Sequence, residues 1–181
     1  MHHFTLPENL FLLFVRFFHR NQKRKYTGEP YYHHPVNVAI TVHKHNSSPE
    51  VVAIALGHDL LEDTKCTIAQ LKIILSICGF SKSLRKEIIN GIIDLTDIYT
   101  NEAFPDNNRI QRKKWETIRL GAITPIAQDV KCADLHDNTQ TITKHDPEFA
   151  LTYLREKEAL ISVLLQANPN LRDLAKTNIQ T

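Results

Sequence analysis

The chain has 181 residues, of which 42% are hydrophobic and 23% are charged, and its formal net charge is +2. This composition is typical of a single globular domain and excludes disorder over most of the length. The small net charge gives no field that would by itself indicate nucleic-acid binding. With only 5 glycines, the sequence also argues against a glycine-rich β-barrel and a dinucleotide-binding fingerprint.

The first predicted helix, over 7–20, contains a very apolar run from Leu10 to Phe18. Arg16 interrupts this run and no small-residue cleavage site follows it, so it makes a poor signal peptide. It is also too short to span a bilayer, and we expect a buried helix in a cytoplasmic protein. The three cysteines form no CxxC spacing, which is consistent with buried thiols in a reducing compartment.

Helix starts are marked along the rest of the chain by a capping residue before a proline or by a capping box. These marks are His34-Pro35, Ser48-Pro49, Thr67 with Gln70, Ser81 after Gly79, Thr124-Pro125 and Asp146-Pro147. Further helices are predicted over 35–45, 49–62, 68–78, 82–95, 109–122, 125–141 and 147–166. No segment shows strand alternation, so the sequence predicts an all-α helical bundle. We expect one domain over 1–181, with a tail after about residue 168 that holds a short helical stretch at best and frays.

The helix predicted over 49–62 ends in a cluster of ionisable side chains. Residues 51–56 are apolar, so this helix is expected to be buried. The residues at its C-terminal end are His58, Asp59, Glu62 and Asp63. Three carboxylates are unfavourable at the negative end of a helix dipole, and a bound cation would relieve that cost. The alternative is a solvated helix end with a lone histidine, because a His-Asp pair alone is a weak motif.

Two further polar positions lie outside this helix. Asp134 and Asn138 are four residues apart among apolar neighbours, so the aspartate needs a partner. A bridge to a lysine or a hydrogen bond to another helix would satisfy it as well as a metal. His34 stands before a proline, where its side chain projects from a helix start and where a capping role is the alternative.

Basic residues form two clusters, which are either solvated helix faces or a grip for an anionic substrate. The first cluster is Arg16, Arg20, Lys23, Arg24 and Lys25, and the second is Arg109, Arg112, Lys113, Lys114 and Arg119.

The order His34, His58-Asp59, Asp134 resembles the metal-ligand order of the HD-domain phosphohydrolases. Within that superfamily, the chain resembles the hydrolase domain of the RelA/SpoT alarmone enzymes over roughly residues 19–141. The matching motifs are Gln22-Lys23-Arg24-Lys25, Gly28-Glu29-Pro30-Tyr31, His34-Pro35, Val38-Ala39, His58-Asp59-x-x-Glu62-Asp63-Thr64 and Lys131-x-Ala133-Asp134-x-x-x-Asn138. This combination looks like a stand-alone small alarmone hydrolase.

The resemblance implies an HD fold with one Mn²⁺ per chain, although other divalent metals suit the same donors. The implied metal ligands are His34, His58, Asp59 and Asp134. The implied catalytic carboxylates are Glu62 and Asp63, with their individual roles open, and the implied nucleotide-pocket residues are Arg24, Lys25, Asn138 and Thr141. The implied reaction is hydrolysis of the 3′-pyrophosphate of (p)ppGpp, giving GDP or GTP and pyrophosphate. A small nucleotide is therefore the expected partner, rather than nucleic acid or a membrane.

Two positions depart from the family pattern without removing a ligand. Gly57 precedes His58 where a leucine is more usual, and Leu135-His136-Asp137 replaces an Arg-Leu-His type of insert. These changes leave the identity of the purine open. A ppApp hydrolase, an NADPH phosphatase, a nucleoside 5′-phosphatase and a non-catalytic nucleotide-binding module remain alternatives, and the sequence does not indicate the oligomeric state.

Overall fold

The computed structural model describes residues 4–46 and 48–177, which form ten α-helices and contain no β-strand. The helices are α1 (Leu6–Phe18), α2 (His33–His43), α3 (Pro49–Gly57), α4 (Leu60–Asp63), α5 (Ile68–Ile77), α6 (Lys82–Leu95), α7 (Arg109–Leu120), α8 (Pro125–His145), α9 (Pro147–Val163) and α10 (Pro169–Ala175). The predicted all-α class is therefore confirmed. Among the described residues, no helix has both the length and the apolar character needed to cross a membrane.

The helix boundaries follow the capping residues of the sequence. At the start of α5, the Thr67 hydroxyl accepts from the backbone N–H of Gln70 at 3.2 Å, and the Gln70 side chain accepts from the N–H of Thr67 at 2.9 Å. Asn108 and Gln111 form the same reciprocal pair at α7. Prolines occupy the first turns of α3, α8 and α9, where their missing N–H leaves no helical bond unmade.

Two central helices carry the candidate ligands. Residues 51–57 of α3 are all buried, and α3 packs against α1, α2, α6 and α8. Helix α8 packs in turn against α2, α9 and α10. His58 directly follows α3 and Asp134 lies midway along α8, so the packing of these two apolar surfaces brings the two side chains to one place.

The glycine before His58 is required by this packing. A Cβ atom built on Gly57 would lie 2.7 Å from Cδ1 of Ile92 and 2.9 Å from Cζ of Phe11, closer than carbon atoms approach in proteins. Ile92 belongs to α6 and Phe11 to α1, and both are fully buried. The side chains of these two helices fill the space that a larger residue at position 57 would need.

The helix predicted over 49–62 is in fact two helices, with a turn at His58 and Asp59. The apolar pattern continues across this turn through Leu60, which is buried, and so the break was not visible in the sequence. Nδ1 of the His58 ring lies 2.8 Å from the carbonyl oxygen of Ala55, one of the last hydrogen-bond acceptors of α3.

The tail after about residue 168 contains a short helix over residues 169–175. These form α10, which begins with the Asn168 side chain accepting from the N–H of Asn170 at 2.9 Å. Leu171 and Ala175 are four residues apart, face the same side and are fully buried where α10 packs on α8. The apolar contact outweighs the short length of the helix. Residues 178–181 lie outside the described part of the chain.

Candidate metal centre

His58 has one ring nitrogen held by the backbone and the other directed into the site. Its Nδ1 lies 2.8 Å from the carbonyl oxygen of Ala55, which can only accept, so Nδ1 carries the proton. Its Nε2 is buried and makes no hydrogen bond in the described structure. With the proton on Nδ1, the unshared electron pair on Nε2 faces the Asp59 carboxylate 3.2 Å away, and a metal ion between the two groups would satisfy this buried nitrogen.

His34 is oriented in the same manner by a carboxylate. It lies in the first turn of α2, is 2% exposed, and its Nδ1 is 2.7 Å from Oδ2 of Asp137. Its Nε2 lies 3.1 Å from Oδ1 of Asp134 and 3.7 Å from Oδ2 of Asp59. A carboxylate on the far nitrogen of a metal-binding histidine fixes the tautomer and makes the near nitrogen more basic.

Asp137 was not among the predicted site residues. Its carboxylate accepts from His34, from Arg24 at 2.7 Å and from Asn37 at 3.0 Å. It lies one helical turn after Asp134 on α8, a spacing that puts both carboxylates on one face. The i,i+3 spacing was the one sequence signal that marked Asp137.

Four candidate ligands come together at the turn between α3 and α4. Donor atoms of His34, His58 and Asp59 all lie within 4.8 Å of one another. Oδ1 of Asp59 is 3.2 Å from Nε2 of His58, and Oδ1 of Asp134 is 3.9 Å from the same nitrogen. Two imidazoles and two carboxylates are a donor set that suits a divalent metal and leaves further coordination positions for solvent or substrate.

The charge balance of the site also favours a cation. Burial alone would lower the pKa of His34, but the carboxylates of Asp134 and Asp137 outweigh it and raise that pKa to about 10. Burial works in the opposite sense on Asp134, yet Lys131 and His34 hold its pKa well below the usual range. Without a metal, the ionised carboxylates retain a proton on the histidine. A divalent ion can replace that proton.

The two ligand carboxylates have further partners that hold them in place. The Tyr31 hydroxyl donates to Oδ2 of Asp59 at 2.9 Å. The Lys131 ammonium donates to Oδ2 of Asp134 at 2.9 Å, and the Asn138 amide donates to Oδ1 of the same residue at 2.6 Å. Asn138 therefore meets the candidate ligand Asp134 directly in this structure.

The two predicted catalytic carboxylates lie on α4, directly after the candidate ligand Asp59. Oε2 of Glu62 accepts from the backbone N–H of Asp97 at 3.0 Å. Partial burial, followed by the nearby Asp97 carboxylate, raises the pKa of Glu62 to about 7, although its side chain keeps contact with solvent. Burial and the Asp59 carboxylate raise the pKa of Asp63. A carboxyl group with a pKa near 7 can give or take a proton at neutral pH.

The predicted nucleotide-pocket residues divide into two groups. The Arg24 guanidinium donates to Asp137 and, at 2.7 Å, to the Thr141 hydroxyl, so these predicted residues meet beside the ligand cluster. Lys25 does not join them. Its side chain is 75% exposed and its ammonium contacts the Tyr26 hydroxyl at 3.1 Å and Asp146 at 3.7 Å.

A cavity of about 640 Å³ between α7, α8 and α9 adjoins the ligand cluster, because Asp134 and Asn138 line it. Five basic side chains also line it, together with four acidic ones. The basic residues are Lys113, Lys114, Lys131, Arg155 and Lys157, and the acidic ones are Asp97, Glu116, Asp134 and Glu156. Of the second basic cluster, Lys113 and Lys114 face this cavity, whereas Arg109 pairs with Glu156 at 2.7 Å. Lysine and arginine side chains beside a metal site can bind the phosphates of a ligand.

The family follows from comparison with known proteins. The family model described as "HD domain" matches residues 12–160, which contain every candidate ligand and both candidate catalytic carboxylates. The chain therefore belongs to the HD-domain family, as the motifs predicted.

Several curated relatives are named as hydrolases of one nucleotide, and another that matches is named a GTP pyrophosphokinase. A probable guanosine-3′,5′-bis(diphosphate) 3′-pyrophosphohydrolase of Mycoplasma genitalium is 33% identical over 133 residues, 68% of this chain and 17% of that protein. Guanosine-3′,5′-bis(diphosphate) 3′-pyrophosphohydrolase MESH1 of Danio rerio is 30% identical over 133 residues, 72% of this chain and 66% of that protein. The chain spans 16–17% of the length of the first bacterial relatives it matches.

A solved structure has the same fold. It belongs to a protein described as a metazoan ortholog of SpoT that hydrolyzes ppGpp. It superimposes with a TM-score of 0.79 over 99% of this chain and 96% of that chain, at 21% sequence identity. This likeness establishes the helical arrangement of the HD fold.

Proposed function

We propose that the chain hydrolyses the 3′-pyrophosphate of (p)ppGpp in a metal-dependent reaction, giving GDP or GTP and pyrophosphate. The observation that carries the proposal is that Asp134, whose Oδ1 lies 3.1 Å from Nε2 of the candidate ligand His34, also lines the cavity that holds the five basic side chains. A phosphorylated group in that cavity would therefore lie beside the metal. The names of the relatives support ppGpp as the substrate.

The proposed cofactor is one Mn²⁺, bound by His34, His58, Asp59 and Asp134. When bound, the ion lowers the pKa of a coordinated water and polarises a phosphoryl oxygen. The protein's own contribution is to keep both imidazoles in the metal-binding tautomer, through the Ala55 carbonyl and the Asp137 carboxylate. Lys131 and Asn138 keep Asp134 ionised and oriented.

Glu62 and Asp63 are proposed to handle the protons of the reaction. Hydrolysis takes one proton from the attacking water and returns one to the 3′ oxygen of the leaving nucleotide. Glu62 suits either task, because its pKa of about 7 makes both of its protonation states available at neutral pH. Asp63 follows it on α4 and its carboxyl pKa is also raised.

The substrate is proposed to enter the cavity between α7 and α9, with its phosphates near Lys113 and Lys114 and its nucleoside near Asn138. Arg24 and Thr141 lie on the side of the site nearest Asp137. The exposed Lys25 is proposed to exchange its contacts with Tyr26 and Asp146 for a bound nucleotide. The proposed ligand is a small nucleotide rather than nucleic acid, and the proposed location is the cytoplasm.

The deciding experiment is turnover of a nucleotide panel by the purified chain with added Mn²⁺, Mg²⁺, Zn²⁺ or no metal. The panel contains ppGpp, pppGpp, ppApp, NADPH and 5′-mononucleotides, with products separated by anion-exchange chromatography. We expect ppGpp to give GDP and intact pyrophosphate with Mn²⁺, and the His58→Ala variant to give neither.

Other outcomes distinguish the alternatives. Release of single phosphate from 5′-nucleotides, with ppGpp untouched, would contradict the proposal and favour a different HD-type phosphohydrolase. Conversion of ppApp or NADPH alone would support the proposed metal-dependent hydrolysis but would contradict ppGpp as the substrate. Tight nucleotide binding without turnover in every metal would indicate a non-catalytic binding module.

A further inference from the structure

The turn that follows α6 connects the candidate catalytic Glu62 to a buried ion pair on α7. In this turn, the backbone N–H of Asp97 donates to Oε2 of Glu62 at 3.0 Å. The next two N–H groups, of Ile98 and Tyr99, both donate to Oε2 of Glu116 at 3.2 Å. Three consecutive backbone donors thus end on two carboxylates, one in the candidate site and one beneath it.

Glu116 is 3% exposed and is held in turn by Arg119. Nε of Arg119 donates to Oε1 of Glu116 at 2.7 Å. The same guanidinium donates to the carbonyl of Asp94 at 2.7 Å and to the carbonyl of Thr96 at 3.2 Å. The Glu116 carboxylate therefore binds the two backbone N–H groups that follow Asp97. The Arg119 guanidinium binds two backbone carbonyls that precede Asp97.

Because Asp97 is fixed from both sides, its N–H has little freedom to leave Glu62. The carboxylate is buried and the guanidinium partly buried, which is costly unless their polar atoms are paired, and here those atoms contact the turn or each other. The Asp97 side chain is also fixed, since Lys113 donates to it at 3.2 Å. The rigid part of this turn is thus the backbone that contacts Glu62.

We propose that Glu116 and Arg119 are positioning residues that lock the turn over residues 96–99 and so aim the Asp97 N–H at the carboxylate of Glu62. They act through Glu62 and do not themselves handle the reacting groups. The inference rests on the proposed function for the catalytic role of Glu62. The hydrogen bonding of the turn does not depend on that role and is tested separately.

The first test needs no substrate. Amide hydrogen exchange is followed by NMR in the wild type, in Glu116→Gln and in Glu62→Ala. We expect Glu116→Gln to lose protection at Asp97, Ile98 and Tyr99, and Glu62→Ala to lose it at Asp97 alone. Glu8→Gln is the matched control, because Glu8 is equally buried and accepts a backbone N–H in α1, far from this turn.

The second test is kinetic and uses ppGpp with Mn²⁺. Misplacing a catalytic group by a fraction of its contact distance costs on the order of 10- to 100-fold in rate, so we expect that loss in kcat for Glu116→Gln with little change in KM. In a Glu62→Gln background, the same substitution is expected to cost less than twofold, because its target is already gone. A residue that only supports folding would lower activity equally in both backgrounds.

Arg119→Lys provides a second variant in case Glu116→Gln does not fold. Lysine keeps the charge but cannot hold both carbonyls and the carboxylate, so the same loss of Asp97 protection and kcat is expected. The proposal is overturned if Asp97 keeps its protection in both folded variants, or if the losses in kcat multiply with that of Glu62→Gln. If the wild type turns over no nucleotide, the proposed function fails, and the exchange data alone decide whether the pair holds the turn.

Discussion

Asp137 is hydrogen-bonded to Nδ1 of His34 across 2.7 Å, although the two residues are 103 positions apart in the sequence. The Arg24 guanidinium donates to the same carboxylate. Oδ2 of Asp137 on α8 therefore contacts both a loop residue and a residue in the first turn of α2. Since Asp137 contacts the nitrogen of His34 that faces away from the ligand cluster, its effect on a metal is exerted through the imidazole.

We expect Asp137→Asn to weaken metal binding about 10- to 100-fold, the usual cost of losing a carboxylate behind a metal-binding histidine. Metal affinity is measured by competition with a chromophoric chelator. Asp173→Asn is the matched control, because Asp173 pairs with Lys176 on the exposed face of α10. Equal affinity in both variants would show that Asp137 does not orient His34.

His58→Ala and Asp134→Ala are each expected to lose the bound metal and the stabilisation it gives. A ligand at a hundred times its Kd raises the unfolding free energy by about 2.7 kcal/mol, and this increment should be missing from both variants in Mn²⁺. Metal content by mass spectrometry and thermal unfolding with and without Mn²⁺ measure the two effects. His45→Ala, at an exposed position, should behave as the wild type.

Glu62→Gln should keep the metal and lose roughly 100-fold or more in kcat, the scale of acid–base catalysis. The wild-type pH profile should change slope near the Glu62 pKa of about 7, and the variant should lack that change. If Glu62 donates a proton, wild-type activity falls above this pH, and if it accepts one, activity falls below it. A profile that is identical in the two proteins would remove Glu62 from the proton transfers.

Lys114→Ala should raise KM for ppGpp about tenfold with little change in kcat. The reason is that a charge-assisted hydrogen bond to a phosphate contributes about 1.5–3 kcal/mol to binding. Lys86→Ala is the control, since Lys86 is exposed on α6 and does not line the cavity. An equal KM in the two variants would mean that the substrate phosphates do not use this wall.

Helix positions were readable from the sequence because they depend on local chemistry. The Thr67–Gln70 pair and the Ser81 cap start α5 and α6 where they were predicted, since a capping side chain acts within three residues of itself. The candidate ligands were found through motif order, which reflects the family and not the geometry. The four ligand side chains come together only when α3 and α8 pack.

Features that depend on distant contacts were not readable. In the sequence, Asp137 belongs to a stretch that departs from the family pattern. Its contact with His34 exists because α8 packs on α2. Glu116 lies in the sequence among the basic residues of α7, and its burial follows from contacts with the distant turn after α6. The break after Gly57 was hidden because the apolar pattern continues to Leu60 on the other side of it.

The close contacts at Gly57 link the candidate metal site to two helices that supply none of its ligands. Phe11 of α1 and Ile92 of α6 occupy the volume where the side chain of residue 57 would lie, directly before His58. A leucine at this position therefore needs the side chains at 11 and 92 to move or to be smaller. The space around the residue before His58 is thus set by side-chain volume that α1 and α6 supply, although neither helix carries a candidate ligand.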